Sequence, residues 1–232
     1  MKLHWSPRSP FVRKVNIVLE ECNLTQQVER IRSVAIFAAP PNPDILRDNP
    51  LGKIPVLITA DGVKLFDSRV ICEYLISLSK REDLLPLALS ARFKHLRWQA
   101  LGDGLTDILL LWRTERGRGE NADPIILAAF ETKTRAALET LENESADLSR
   151  VPFGLGHIAV VCALGQLDFR YADCGWRTAL PGLAAWYKAI TSRPCVDDRT
   201  PETHSHTRPV AHHGGPMGRT DTRRSRCRGD QG

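Results

Sequence analysis

Residues 49–57 read Asn49-Pro50-Leu51-Gly52-Lys53-Ile54-Pro55-Val56-Leu57. Two prolines flank a glycine, and an apolar strand follows. Proline has no N–H to give to a sheet ladder, so a strand opened by Pro55 starts with an edge that no neighbouring strand uses. An extended peptide ligand can pair with that edge instead.

After this stretch, residues 55–59 read as a strand, Asp61-Gly62 as a hairpin turn, and residues 63–66 as the returning strand. Asp67-Ser68 opens a helix whose apolar face is Ile71, Tyr74, Leu75 and Leu78. Before it, residues 2–5 form a short strand, and Ser6-Pro7-Arg8-Ser9-Pro10 breaks regular structure. Ser9 is a natural N-cap and Pro10 a natural first helical residue. Val12, Val15, Leu19 and Cys22 then give one apolar stripe, and Asn23 suits the helix end. Residues 27–34 form a second strand with imperfect alternation. A proline-rich loop over 38–43 and a single helical turn over 44–48 complete an α/β unit of residues 1–80, within the usual domain range.

Residues 81–87 read as a linker, and from residue 88 the apolar period is helical only. Phe93, Leu96, Ala100, Leu101, Leu105, Ile108 and Trp112 mark one long helix, which Gly117-Arg118-Gly119 breaks. Asp123-Pro124 restarts helix, with Ile126, Phe130, Ala137, Leu138 and Leu141 as the stripe, fading over 142–149. Ile158, Val161, Cys162 and Leu164 belong to a fully buried helix, and Leu183, Trp186, Tyr187 and Ile190 to the last one. The all-helical half spans 88–196. Residues 197–232 lack hydrophobic periodicity and read as a disordered tail. Four of the seven histidines fall there, in a spacing that matches no standard metal-ligand set.

The 232 residues are 42% hydrophobic and 25% charged, ordinary globular values. No apolar run approaches the roughly 18 residues that span a bilayer, and the N-terminus has no signal-peptide core, so a cytoplasmic protein without membrane contact is expected. The net charge of +5 is scattered except near the C-terminus, which reads as solvated surface, not nucleic-acid binding. The six cysteines form no C-x-x-C pair and read mostly as small core residues in a reducing compartment.

Three segments, in order, resemble the cytosolic glutathione S-transferases. Residues 6–15 (SPRSPFVRKV) look like the active-site loop and first helix of bacterial serine-type members. Residues 49–57 are similar to the loop ending in a cis-proline, and residues 65–75 (LFDSRVICEYL) to the acidic-Ser motif that holds the γ-glutamyl group. Residues 158–169 and 184–194 add typical C-terminal segments, so the resemblance spans about 1–196. It implies a thioredoxin-like α/β domain followed by an all-helical domain. It also implies glutathione as co-substrate, no metal, a small electrophile as the other partner, and a homodimer.

A free thiol with pKa near 8.5 is only a few per cent thiolate at neutral pH. A donor aimed at sulfur and a helix N-terminus both lower that value. The resemblance gives Ser9 the activating role, with Phe11 beside it. Ser6 is the rival in the same loop, and Ser9 is also a plain N-cap. A cis Ile54–Pro55 bond would present the Ile54 backbone to the cysteinyl unit. Lys53 either reaches the glycyl carboxylate or is solvated. Ser68 suits the γ-glutamyl carboxylate and Asp67 its ammonium, and both also suit capping. Arg69 reads as solvent-facing. Leu105, Leu109, Trp112 and Arg113 are candidates for the second-substrate wall, with core packing the competing reading for the apolar ones.

In one place the chain departs from the family pattern. The buried helix opens with Gly154-Leu155-Gly156-His157 where members carry a Ser/Thr-x-x-Asp capping box, so neither arm of the box is expected. A non-catalytic glutathione-binding or regulatory protein is the alternative to an enzyme, since fold does not fix function.

Overall fold

The computed structural model describes residues 1–36 and 38–196. The tail expected over 197–232, with its histidine cluster, lies outside the described residues.

A four-stranded mixed sheet in the order β2-β1-β3-β4 forms first. The strands are β1 (Lys2–Trp5), β2 (Glu29–Arg32), β3 (Val56–Ile58) and β4 (Lys64–Leu65). β1 runs parallel to β2, with Leu3 opposite Arg30, and antiparallel to β3, with Leu3 opposite Leu57. β1 has the expected span, and β2, β3 and β4 are shorter than the sequence suggested. The hairpin turns at Gly62, whose φ of +88 is open to glycine at no steric cost.

Helix α1 (Pro10–Glu21) starts at Ser9, whose Oγ accepts the Val12 N–H at 3.2 Å, with Pro10 in the first turn. It ends where Asn23 turns left-handed at φ +55. Helix α2 (Pro43–Asp48) leads into the proline loop. Helix α3 (Ser68–Ser79) is capped by Asp67, which accepts from Arg69 N at 2.9 Å. Its buried side carries Ile71, Cys72, Leu75 and Ile76, while Leu78 is exposed, a correction to the expected stripe.

The helical half holds α4 (Leu89–Arg116), α5 (Pro124–Asn143), α6 (Ser145–Arg150), α7 (Leu155–Arg170), α8 (Trp176–Ala179) and α9 (Pro181–Ile190). Leu148 of α6 is buried, in the stretch where the apolar pattern faded. α7 is the axis of this half and is buried from Leu155 to Leu167. It lies so close to α4 that a Cβ on Gly102 would meet the Ala159 backbone at 2.6 Å. Phe93 of α4 and Ile126 of α5, expected in their stripes, face outward.

Gly154 does lack a capping side chain, but His157 supplies the other arm of the box, which the sequence reading missed. Its Nδ1 accepts the Gly154 N–H at 3.2 Å, and its Nε2 lies 3.1 Å from the Leu148 carbonyl. Glycine is required because a Cβ there would meet Leu84 O at 2.5 Å and His95 Cε1 at 2.6 Å.

Two ionic clusters hold the halves together. Lys14 of α1 and Arg69 of α3 both bind Asp103 of α4. At the far end of α1, Glu21 takes Arg81 from the connecting segment, and Arg193 and Cys195 from beyond α9.

Candidate functional site

The sheet register collects the predicted residues at one end. In β1 and β3, His4 faces Val56, and in β3 and β4, Leu57 faces Leu65. Continued past the ladder, that register brings Trp5, Pro55 and Asp67 abreast. Ser9 follows the end of β1 and Ser68 the end of β4, so two helix N-termini open beside Pro55.

The Ile54–Pro55 peptide is cis, as is Phe66–Asp67. Pro55 is buried, Ile54 half-buried and Lys53 exposed. The loop before them is shaped by Asn49, whose Nδ2 donates to Lys53 O at 2.9 Å and whose Oδ1 accepts from Leu51 N at 3.0 Å. Gly52 turns there at φ +64.

Ser9 and Ser6 are both half-buried. Ser9 Oγ sits on the helix N-terminus and uses a lone pair for Val12 N–H, so its proton is still available to a ligand. Ser6 Oγ belongs to the preceding turn and accepts from Arg8 N at 3.4 Å. Phe11 is half-buried, with Lys14 Nζ 5.9 Å from its ring centre. At α3, Ser68 is buried and Asp67 exposed.

Arg69 does not simply face solvent: its Nε donates to Asp103 Oδ2 at 2.9 Å. Asp107, one turn further along α4, is exposed toward the same cluster. Partial burial pushes its carboxyl up, Lys53 pulls it back down, and Asp103 pushes it up again. Neither Asp103 nor Asp107 was singled out from sequence, because charged positions on a long helix read as solvated surface.

Of the proposed wall, Leu105 and Leu109 are 1% and 0% exposed and belong to the core. Their side chains offer a substrate almost no surface. Trp112 is half-buried and stacks on Tyr171 with ring centres 4.8 Å apart, and Arg113 is exposed. Tyr171 O–H donates to Leu109 O at 2.7 Å, and burial pushes the phenol up to about 12, so it keeps that proton.

A thioredoxin-like domain with two helix N-termini beside a cis-proline, followed by a helical domain, defines a class of two-domain proteins. Residues 8–78 match the glutathione S-transferase N-terminal domain, and residues 124–189 the C-terminal domain. The chain is 34% identical to the uncharacterised GST-like protein YibF of Escherichia coli, covering 83% of this chain and 95% of that one. It is 40% identical to glutathione S-transferase 3 of Zea mays, covering 84% and 90%. Among solved structures, a glutathione transferase family member from Pseudomonas fluorescens with bound glutathione is 40% identical, with a TM-score of 0.80 and coverage of 84% and 96%. The chain belongs to the glutathione S-transferase family.

Proposed function

We propose that this protein is a glutathione transferase that uses Ser9 to stabilise the glutathione thiolate for attack on a small hydrophobic electrophile. The observation that carries the reading is Ser9 itself. Its hydroxyl caps α1 through a lone pair, which leaves its proton to donate to a ligand, and it sits at a positive helix end. Loss of the thiol proton is favoured there, the sulfur lone pair forms the new bond to the electrophilic carbon, and the leaving group departs with its electron pair. For the cell this is a detoxifying conjugation, placed in the cytoplasm; the free cysteines fit a reducing compartment.

Glutathione is an extended zwitterionic peptide, and each part has a matching group. Ile54 offers its backbone beside cis-Pro55 to the cysteinyl unit, and Lys53 its ammonium to the glycyl carboxylate. Ser68 at the α3 N-terminus suits the γ-glutamyl carboxylate. Asp67 suits the γ-glutamyl ammonium, with the Asp107 carboxyl near enough to interact with Asp67. Phe11, Trp112 and Arg113 line the second-substrate side, with Leu105 and Leu109 supporting Trp112 from the core.

A homodimer is part of this reading, supported by exposed apolar side chains on α3 and α4. Val70 and Leu78 of α3 and Leu89 and Phe93 of α4 are all exposed, and Arg92 binds Glu73 between the two helices. Domain limits of 1–80 and 88–196, with 81–87 between, complete the reading.

The test is glutathione titration by calorimetry, joined to a steady-state assay with an aryl halide. Binding with turnover that falls in Ser9→Ala supports the enzyme. Binding without turnover of any electrophile supports a regulatory binding protein, and absence of binding overturns both.

A further inference from the structure

One buried polar cluster lies beneath the candidate site and has no part in the thiol chemistry. His4, at the centre of β1, places Nε2 2.9 Å from Asp48 Oδ2 and Nδ1 2.7 Å from Ser33 Oγ. Lys64 of β4 holds the other Asp48 oxygen at 2.9 Å and also donates to Arg47 O at 3.0 Å. Serine, histidine and aspartate in this order resemble a hydrolytic relay. All three are buried, however, and Ser33 Oγ also lies 3.2 Å from Ile31 O, so the cluster is a fastening.

It fastens the end of α2. Asp48 is the last residue of that helix, and its carboxylate is tied to β1 and β4, while His4 carries the tie on to the residue just beyond β2. The Lys64 ammonium, then the His4 ring, holds the Asp48 carboxyl below the usual carboxylate range, so the acceptor stays ionised. Asn49 comes next in the chain and is also buried. Its backbone carbonyl accepts Gly52 N at 2.9 Å, and its side chain fixes Leu51 N and Lys53 O. Bonds therefore run without a break from the middle of the sheet, through Asp48 and Asn49, to the peptide carrying Lys53 and Ile54.

We infer that Asp48 and His4 are positioning residues for glutathione: they set where the Lys53–Ile54 backbone meets the ligand, and so set glutathione affinity without taking part in thiol activation. This rests on the glutathione reading above. A contact held by one loop is sensitive to small displacements, because ligand and backbone must meet at hydrogen-bond distance.

The experiment compares wild type with Asp48→Asn, which keeps the side-chain volume, and with Asp48→Ala and His4→Gln. Glutathione Kd, KM and kcat are measured well below each variant's Tm, with amide exchange at Leu51 and Gly52. In Asp48→Ala, Kd and KM for glutathione rise roughly tenfold, kcat at saturating glutathione stays within about twofold, and the two amides exchange faster. Asp48→Asn recovers part of the loss. Wild-type Kd and KM in a folded Asp48→Asn and Asp48→Ala pair overturn the inference, as does a fall in kcat with KM unchanged. Failure of the wild-type chain to bind glutathione is a separate result that overturns the underlying reading.

Discussion

Lys14 of α1 and Asp103 of α4 form an ion pair at 2.7 Å between the two domains, with side chains only 1% and 4% exposed. Both Asp103 oxygens lie within 2.7 Å of Lys14 Nζ, and Oδ2 also accepts from Arg69. Removing one member leaves a buried charge unpaired, so Asp103→Ala is expected to cost roughly 3–5 kcal/mol of stability. The double variant Lys14→Met/Asp103→Leu recovers most of it, because two apolar side chains replace two desolvated charges. Urea unfolding of the three proteins checks this. Equal stability of Asp103→Ala and wild type would show that the pair is solvated.

His157 makes stability depend on pH. Burial, then the neighbouring His95, pulls its pKa from 6.5 to about 4, and burial lowers His95 as well. Neutral His157 accepts from Gly154 N, and a protonated ring cannot. A depressed histidine adds stability that is fully present above the unfolded value of 6.5 and is lost as pH falls toward about 4. The loss is on the order of 3 kcal/mol for His157. Denaturation midpoints across that window should fall more steeply for wild type than for His157→Gln, although the variant is less stable at neutral pH. Parallel slopes would remove His157 from the account.

Gly154→Ser would restore a capping hydroxyl, an effect normally worth about 0.5–2 kcal/mol. Here the new Cβ meets Leu84 O, which already accepts Leu155 N at 2.8 Å and cannot shift without loosening that bond. Overpacking of this kind costs roughly 1–3 kcal/mol. Steric cost therefore outweighs the cap, and the variant should melt below wild type; a higher Tm would show that the backbone yields.

Leu109 and Trp112 lie one turn apart on α4 but differ in burial: Leu109 is buried and Trp112 half-buried. Leu109→Ala should lose about 2–5 kcal/mol of stability and leave the KM for the electrophile largely unchanged. Trp112→Ala should raise the electrophile KM while glutathione KM stays near wild type. If Leu109→Ala changes only the electrophile KM, the second-substrate wall runs deeper than Trp112.

The sequence makes legible whatever local chemistry decides. Ser9, Asp67 and Asp123 each cap the helix assigned to them, since an N-cap acts within three residues. The proline loop and the hairpin are equally local. The Lys14–Asp103–Arg69 cluster was out of reach because its members are far apart in the chain and each reads singly as surface charge. His157 was missed because capping was sought in a carboxylate, although an imidazole nitrogen accepts as well. Leu78 and Phe93 fit apolar stripes by spacing, yet periodicity does not show which side the core lies on. Leu105 and Leu109 fit both wall and core, and only the packing of α7 on α4 decides between them.

Activation of the thiol by Ser9 is measured directly by spectrophotometric titration of the protein–glutathione complex. In wild type the bound thiol should ionise well below the free value of about 8.5, and in Ser9→Ala its pKa should rise back toward that value while glutathione still binds. The same bound-thiol pKa in both proteins would contradict the account.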